Sequence, residues 1–350
     1  MIDRARLARI AVLAVAGLMV VAPAATVAQD ASGSPAASGE PLNPYAENGA
    51  VAGSGEGKTV GYISLGDSLP FVKMVSDSIA EQATIAGLDL VACDAQVKAE
   101  IGLECGQTLG TRSVQGVLNF NLYADSSEAI CNAYGNVPTI AIDIHQAPCE
   151  VAFFGADNLH AGTLGGQKGG ELLQAENGCT YDHVITLESQ AAGPSVNGER
   201  VKGMIDGFAS VCGPIDPAKL QQVEVGGTTE LALAKMSDLL PTLTPGGITV
   251  IMSLNDDMAI GAQSAAETAG RGSELRIIAQ GADPTAWQRL ACNPTWLADV
   301  GYSPQLYGRT LVPAIIDVLD GKTVPATMFT PNEALTAETI RDVYPDTPAC

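Results

Sequence analysis

The first strand, helix and strand of the folded part lie within residues 59–93, which read TVGYISLGDSLPFVKMVSDSIAEQATIAGLDLVAC. A β-rich run, Thr59–Leu65, precedes a helical stretch, Phe71–Ala86, and a second β-rich run, Leu88–Cys93, follows it. Two strands joined through a helix of this length normally lie parallel in one sheet. The segment therefore predicts a βαβ unit and an α/β fold.

The same alternation continues along the rest of the chain. Further β-rich runs are Gly116–Phe120, Thr139–Asp143, Ala152–Ala156, Val184–Glu188, Gln222–Val225, Thr249–Ser253, Arg276–Ala279 and Leu297–Gly301. Helical stretches between them are Ser126–Tyr134, Leu159–Ala175, Gly198–Val211, Glu230–Leu240, Met258–Ala269 and Gln305–Asp320. Roughly ten strands exceed what one open sheet of this length usually holds, so we predict two doubly wound, parallel-sheet lobes. Ligands bind outside the carboxyl ends of the strands in such sheets, which places a ligand cleft between the lobes.

The N-terminal segment indicates export. Three arginines precede an apolar run, Ile10–Val21, and small residues follow it up to Ala28. This is the pattern of a secretory signal, so we expect residues 1–28 to be cleaved near Ala28 and the mature protein to be periplasmic or extracellular. Residues 29–57 are rich in Ala, Ser, Gly and Pro and predict a disordered linker, with structure beginning near Lys58.

The charge balance excludes some partners. The chain has 18 Lys and Arg against 39 Asp and Glu, for a formal net charge of −21. Such a surface repels nucleic-acid phosphates, so we expect no nucleic-acid partner. Neither Cys-x-x-Cys nor His-x-x-x-His occurs, so we expect no metal site, and no motif indicates a cofactor.

Cysteines in an exported chain most often form disulfides. The eight are Cys93, Cys105, Cys131, Cys149, Cys179, Cys212, Cys292 and Cys350. We expect them to pair in sequential order, because short loops close at low entropic cost and each pair then lies inside one lobe.

Polar residues follow several of the predicted strands. They are Asp67, Asn119, Asn121, Asp143, Asp157, Asn158, Asn255, Asp256, Asp257 and Asp283. Each of them could simply cap the following helix or fit a tight turn. As a set, they would line the cleft with carboxylates and amides, which suits the hydroxyl groups of a carbohydrate.

Read together, these segments resemble the type I periplasmic binding proteins of the ribose-binding kind, over about residues 58–319. The resemblance is carried by Gly61–Phe71, Thr139–Asp143, Gly155–Asn158, Asn197–Met204 and, most specifically, Ser253–Gly261, which reads SLNDDMAIG. It implies an N-terminal lobe of residues 58–156 with 303–324, and a C-terminal lobe of 157–302 with 325–350. A multi-strand hinge would join the lobes and let them close on a ligand.

Carried over position by position, the resemblance implies a set of ligand-binding residues. They are Asp67 or Ser68, Phe71, Asp143, Arg200, Asn255 and Tyr302. Phe71 would either stack on a sugar face or pack into the core. Asp143 and Arg200 are charges whose burial would need a partner, supplied by the ligand or by each other.

Two positions depart from the pattern of that family. Ile144 stands where the family has an Arg after the fourth-strand Asp, and Gly281 stands where it usually has an Asp. Asp283, two residues on, either substitutes at the ligand or caps the helix that contains Trp287. These departures leave the identity of the ligand open.

The resemblance implies a monomeric, non-enzymatic binding protein that captures a sugar or polyol and delivers it to the permease of an ABC transporter. A soluble ligand carrier for a chemoreceptor, or a site for an amide, a nucleoside or an autoinducer, stays open. One alternative belongs to another class, because Gly66–Leu69 resembles the nucleophile motif of secreted GDSL esterases, with Ser68 as nucleophile. The Asp-x-x-His of those enzymes lies near the C-terminus, whereas here that spacing occurs only at Asp157–His160.

Overall fold

The computed structural model describes residues 43–350. The expected export signal, residues 1–28, and the first part of the expected linker lie outside the described residues. The described part contains two six-stranded sheets with helices packed against them. We call the first sheet with its helices the first lobe, and the second sheet with its helices the second lobe.

Strands and helices alternate for most of the described chain. The strands are β1 (Thr59–Ser64), β2 (Asp89–Asp94), β3 (Gly116–Asn119), β4 (Thr139–Ile142), β5 (Glu150–Gly155), β6 (His183–Glu188), β7 (Leu220–Glu224), β8 (Thr249–Ser253), β9 (Leu275–Gly281), β10 (Trp296–Gly301), β11 (Thr327–Phe329) and β12 (Glu333–Leu335). The α-helices are α1 (Pro70–Ala86), α2 (Ala99–Thr111), α3 (Ser127–Ala133), α4 (Asn158–Asn177), α5 (Glu199–Cys212), α6 (Thr229–Leu239), α7 (Asp256–Thr268), α8 (Pro284–Cys292), α9 (Tyr307–Leu319) and α10 (Ile340–Val343). None of the helices described in this part of the chain has the length and apolarity needed to cross a bilayer.

The strand order confirms the predicted doubly wound fold. The first sheet has the order β11-β5-β4-β3-β1-β2, and all of its strand pairs are parallel. The second has the order β12-β10-β9-β8-β6-β7 and is parallel except for the pair β10–β12. In each sheet the strand order changes direction at the first strand of that lobe, which is β1 in the first sheet and β6 in the second. The helices on the two sides of this point lie on opposite faces of the sheet, so a crevice forms at the carboxyl ends of the central strands, where a ligand can bind.

The first βαβ unit shows why these residues adopt these elements. Residues 60–64 of β1 are all buried, as expected for a central parallel strand covered on both faces. Helix α1 begins at Pro70, whose fixed φ suits the first turn, and ends before Gly87, which takes the left-handed conformation at φ 68°. The predicted helix therefore forms almost as expected.

Helix α2 is an element that the sequence analysis did not predict. Its thirteen residues include three glycines, at 102, 106 and 110, which have low helix propensity. In the structure, Gly106 and Gly110 lie against the backbone of Ile130 and Ala133, so α2 packs closely on α3. Tertiary packing therefore stabilises a helix that local propensity does not favour.

The chain crosses between the lobes three times. The crossings connect β5 to α4, β10 to α9, and β11 to β12. The last was expected near Val324, but β11 pairs with β5 in the first sheet, so this crossing lies between Phe329 and Glu333. Short strands such as β11 carry too little pattern to be recognised in sequence. The expected lobe boundaries otherwise remain a prediction.

Residues 43–57 were expected to belong to a disordered linker, but the structure packs them against the first lobe. Asn43 Nδ2 donates to Thr310 Oγ1 at 3.0 Å, and the hydroxyl of Tyr45 donates to Asp317 Oδ2 at 2.9 Å. The amide of Ala50 donates to the side chain of Gln82 at 2.8 Å. These partners lie more than thirty residues away, so a composition-based prediction could not include them.

The eight cysteines form four disulfides in sequential order. The pairs are Cys93–Cys105, Cys131–Cys149, Cys179–Cys212 and Cys292–Cys350. The first two pairs lie in the first lobe and the other two in the second. No disulfide within the described residues joins the lobes, so none restrains a hinge motion between them.

Helices α4 and α5 pack backbone against backbone at paired glycines. A Cβ on Gly162 would collide with the carbonyl oxygen of Arg200, and a Cβ on Gly203 would collide with that of Leu159. The same relationship holds one turn further along, at Gly166 and Gly207. Only glycine permits so close an approach, and it brings Arg200 on α5 beside the start of α4.

Candidate ligand-binding cleft

A cavity of about 120 Å³ lies between the lobes, at the carboxyl ends of the strands of both sheets. From the first lobe, Leu65 follows β1, Phe120 follows β3, and Asp143 and Ile144 follow β4. From the second lobe, lining residues follow each of the strands β6 to β10, and Arg200 lies on α5. They include Ser189, Leu254, Asn255, Asp283 and Tyr302. The cleft expected from the fold class is therefore present.

Arg200 is the cation of this cavity, and the protein holds it rigidly. Its side chain is buried; Nε and Nη2 donate to Asn158 Oδ1 at 3.0 and 2.6 Å, and Nη1 donates to the Leu254 carbonyl at 2.8 Å. The guanidinium also lies over the ring of Tyr302, 5.0 Å from its centroid. A guanidinium has five N–H groups, so two remain to donate to a ligand.

Asp143 enters the cavity from the first lobe. Its backbone has φ 56°, a conformation that Asp tolerates better than most residues. Oδ1 accepts from the Tyr307 hydroxyl at 3.0 Å and from the amide of Ala156 at 3.3 Å. Burial raises the pKa of this carboxyl to about 6, although the charge of Arg200 and these hydrogen bonds act in the opposite direction.

Asp256 and Asp299 form a buried carboxyl pair beneath the second-lobe side of the cavity. Asp256 Oδ2 accepts from the amide of Asp283 at 2.8 Å, and Asp299 Oδ1 accepts from the amide of Ala282 at 3.1 Å. The other oxygen of each has no partner among the described residues other than the neighbouring carboxyl. Burial raises the pKa of both groups. The negative charges of Asp299 and Asp283 raise the pKa of Asp256 further, whereas the hydrogen bond with Asp256 acts in the opposite direction on the pKa of Asp299.

Asp257 and Asp283 are two further carboxyls that line the cavity. Burial raises the pKa of Asp257 to about 6, and its Oδ1 accepts from Thr229 Oγ1 at 3.2 Å. Burial also raises the pKa of Asp283. The second-lobe side of the cavity therefore presents mainly hydrogen-bond acceptors.

Comparisons with known proteins identify a family that has this two-lobe architecture. A family model described as the periplasmic binding protein domain matches residues 126–323, more than half of the chain. The chain belongs to this family.

Relatives of the periplasmic binding protein family match most of the chain. The ribose import binding protein RbsB of Escherichia coli (strain K12) is 28% identical over 267 residues, which cover 73% of this chain and 83% of that protein. A Mycobacterium smegmatis protein solved with β-D-fucofuranose has a TM-score of 0.69 at 23% identity, covering 83% of this chain and 94% of that one. A solute-binding protein of the same organism, solved with glycerol, has a TM-score of 0.72 at 19% identity and covers 84% and 98%. The two structural matches establish the two-lobe fold of the family.

Six of the eight residues expected at the ligand of this periplasmic binding protein line the cavity. They are Phe71, Asp143, Arg200, Asn255, Asp283 and Tyr302. Their contact with a ligand stays a prediction. The structure does not bring Asp67 and Ser68 to the cavity. Asp67 Oδ1 accepts from the hydroxyls of Ser64 and Ser76, and Ser68 is exposed to solvent.

Two of the six lining residues also cap helices. Asn255 Oδ1 accepts from the amide of Met258 at 2.9 Å at the start of α7, while its Nδ2 donates to the Gly227 carbonyl at 3.0 Å. Asp283 Oδ1 accepts from the amide and hydroxyl of Thr285 at the start of α8. The capping role expected as the alternative is present, and it coexists with a position in the cavity.

Aromatic side chains close the hinge side of the cavity. Phe71 makes edge-on contacts with Tyr302 and Tyr307, with ring centroids 6.1 and 5.8 Å apart. The Tyr302 hydroxyl donates to Gln280 Oε1. Trp287 packs inside the second lobe instead, stacked on Tyr344.

Gln280 is a lining residue that the sequence analysis missed. It is the penultimate residue of β9 and is buried, and its Nε2 has no partner within the described chain. Inside an apolar strand it would be interpreted as a core residue. The one indication in the sequence was the neighbouring Gly281, which stands where the family usually has an Asp. It shows that the end of β9 differs from the family pattern.

Proposed function

We propose that this protein is an exported solute-binding protein that captures a sugar or polyol between its lobes and delivers it to the permease of an ABC transporter. The observation that carries the proposal is the convergence of Arg200 and Asp143, buried and from different lobes, on one cavity. Asp257 and Asp283 add acceptors on the same side as Arg200. A solute with several hydroxyl groups can both donate to these carboxylates and accept from the guanidinium.

The relatives support this class of ligand. The name of the Escherichia coli relative refers to ribose import, and the mycobacterial structures contain a furanose and glycerol. A further structural neighbour, from Bacillus halodurans, contains myo-inositol at a TM-score of 0.67 and 20% identity. These are polyhydroxylated small molecules.

The mechanism is hinge closure. A ligand that contacts both Asp143 and Arg200 binds the closed form better than the open one, so it shifts the population toward closure. The three crossing segments would bend, and the disulfides, each inside one lobe, leave them free to do so. The closed monomer would then present a defined surface to the permease, in the periplasm or outside the cell.

The esterase alternative has less support. Ser68 is exposed and lies outside the cavity, and within residues 43–350 no hydrogen bond joins it to a histidine. Asp157, the acid of the only Asp-x-x-His spacing, accepts from the amide of His160 as a helix cap. We therefore propose binding without catalysis.

Thermal unfolding of residues 29–350 tests the proposal against pentoses, hexoses, polyols, nucleosides and short esters. A ligand at about one hundred times its dissociation constant adds about 2.7 kcal/mol to the native state, which raises the midpoint by several degrees. We expect such a shift with a sugar or polyol that is recovered chemically unchanged. A shift only with nucleosides, or acid release from the esters, would overturn the proposal.

A further inference from the structure

The two sides of the cavity differ in chemistry. The first lobe contributes what we call the apolar wall, made of Leu65, Leu69, Val97, Phe120, Leu122 and Ile144. Phe71 and Val72 extend it, and Asp143 is the single polar side chain among the first-lobe lining residues of the described structure. Its Oδ1 is already engaged by Tyr307 and Ala156.

The second lobe contributes the polar groups of the cavity. They are the carboxyls of Asp256, Asp257 and Asp283, the guanidinium of Arg200, the amides of Asn255 and Gln280, and the hydroxyl groups of Ser189 and Tyr302. Ala192, Val196 and Leu254 of the second lobe are apolar as well. A ligand between the lobes therefore meets most of the hydrogen-bonding groups on the second-lobe side, and hydrocarbon on the first-lobe side everywhere except at Asp143.

One residue of the apolar wall, Val97, has a strained backbone conformation. It has φ 57°, a conformation that is an outlier for a β-branched residue. Its amide donates to the Leu65 carbonyl at 2.8 Å, and its carbonyl accepts from the Tyr123 hydroxyl at 2.9 Å. Backbone strain of this kind persists only where surrounding contacts enforce it, and it is concentrated at ligand sites.

A hydroxyl group that faces this wall would lose its hydrogen bonds to water and gain none from the protein. A methyl or methylene group at the same place would be buried favourably. Extending the proposed function, on which this inference rests, we propose that the ligand is a sugar or polyol with a hydrocarbon edge, such as a deoxy or alkyl-substituted sugar. Its hydroxyl groups face the second lobe and Asp143, and its hydrocarbon edge faces the apolar wall.

Matched ligand pairs test this inference by isothermal titration calorimetry. The pairs are D-galactose with D-fucose, L-mannose with L-rhamnose, and methyl with butyl glycosides of the sugar that binds best. We expect the more apolar member of at least one pair to bind about 10- to 100-fold tighter, the range in which a pocket discriminates one hydroxyl or a few methylenes. Equal or tighter binding of the fully hydroxylated or shorter member in all pairs would overturn the inference and leave the proposed function standing. Binding of no sugar or polyol would remove both.

The variant Val97→Thr tests the wall itself. Threonine keeps the branched shape and the backbone restriction of valine but places a hydroxyl at the wall, so the preference for the apolar member should narrow about 10-fold. The control is Val223→Thr on β7, a partly buried valine outside the cavity, which should leave the preference unchanged. Unfolding of both unliganded variants shows that they are folded. An unchanged preference in folded Val97→Thr would overturn the inference.

Discussion

The guanidinium of Arg200 donates two hydrogen bonds to one atom, Oδ1 of Asn158, although the residues are 42 positions apart. Asn158 is the first residue of α4, directly after the crossing between the lobes, and its Nδ2 donates to the Ser195 carbonyl at 3.0 Å. Asn158 therefore positions Arg200 and is itself held by the chain that leads into α5.

Replacement of Asn158 tests this positioning role. Asn158→Ala removes the acceptor of two guanidinium hydrogen bonds, so we expect ligand affinity to fall about 10-fold or more, equivalent to about 1.4 kcal/mol. Asn158→Asp retains an acceptor oxygen and should keep Arg200 in place. Calorimetric titration with the sugar or polyol from the thermal screen measures both variants. An unchanged affinity in Asn158→Ala would show that Arg200 does not depend on Asn158.

The glycine contact between α4 and α5 should be sensitive to a single methyl group. Gly203→Ala forces a Cβ against the Leu159 carbonyl, so we expect overpacking to cost about 1–3 kcal/mol and to displace Arg200, three residues earlier on α5. Gly198→Ala is the matched control, because the nearest atom to its new Cβ is 3.9 Å away. Thermal unfolding and ligand titration should both change in the first variant and stay near wild type in the second. Equal effects in both would contradict the packing argument.

The raised pKa values of the buried carboxyls predict how stability depends on pH. Asp143 has a pKa of about 6 in the folded protein, against about 3.9 when unfolded. A carboxyl with a raised folded pKa contributes stability below its unfolded pKa, and this contribution is lost as pH rises through the folded pKa. We therefore expect the unliganded protein to become more stable as pH falls from about 7.5 to about 5.

The variant Asp143→Asn assigns part of this pH dependence. The amide resembles the protonated carboxyl, so the stability of the variant should vary less with pH, by up to about 1.4 kcal/mol per pH unit for one proton. The pKa of Glu176 is lowered, so its contribution to stability changes only below about pH 4.5. It therefore does not affect the pH dependence between about pH 5 and 7.5. Denaturant unfolding at about pH 5, 6 and 7.5 measures the effect. Identical pH profiles in the variant and the wild type would exclude Asp143 as a contributor.

The disulfide Cys292–Cys350 should affect stability without affecting binding. It joins α8 to the C-terminus across 58 positions and lies outside the cavity lining. We expect the double Cys→Ser variant to lose about 2–4 kcal/mol of stability and to bind with unchanged affinity at a temperature where it is folded. Matched Ser variants at Cys93 and Cys105, which close a shorter loop of 12 positions, should lose less. A large loss of affinity would show that the C-terminal segment supports the cleft.

Ser68 provides a test between binding and catalysis. Its side chain is exposed and outside the cavity, so Ser68→Ala should leave both the unfolding temperature and the ligand affinity unchanged. Asp67→Asn should lower stability instead, because Asp67 accepts from two serine hydroxyls. Loss of ester hydrolysis in Ser68→Ala would favour the esterase.

Most of the polar side chains that line the cavity could be expected from the sequence, but the apolar character of the first-lobe side could not. Asp143, Arg200 and Asn255 could be expected at strand ends or from the resemblance, and all three line the cavity. Asp67 does not line the cavity, because its side chain is held by Ser76, nine residues away on α1. Val97 was missed, because its position depends on a strained turn that no local pattern shows.

The sequence by itself determined the α/β class, the two mainly parallel sheets and the acidic charge balance. Apolar periodicity and turn residues act over a few positions and can be recognised without knowledge of the partners. Only the tertiary structure decided which strand ends face the cavity, where β11 crosses to β12 and how Arg200 is held. These features depend on contacts between residues far apart in the chain, such as Asn158 with Arg200 and Asp143 with Tyr307, and a local sequence pattern does not encode such contacts.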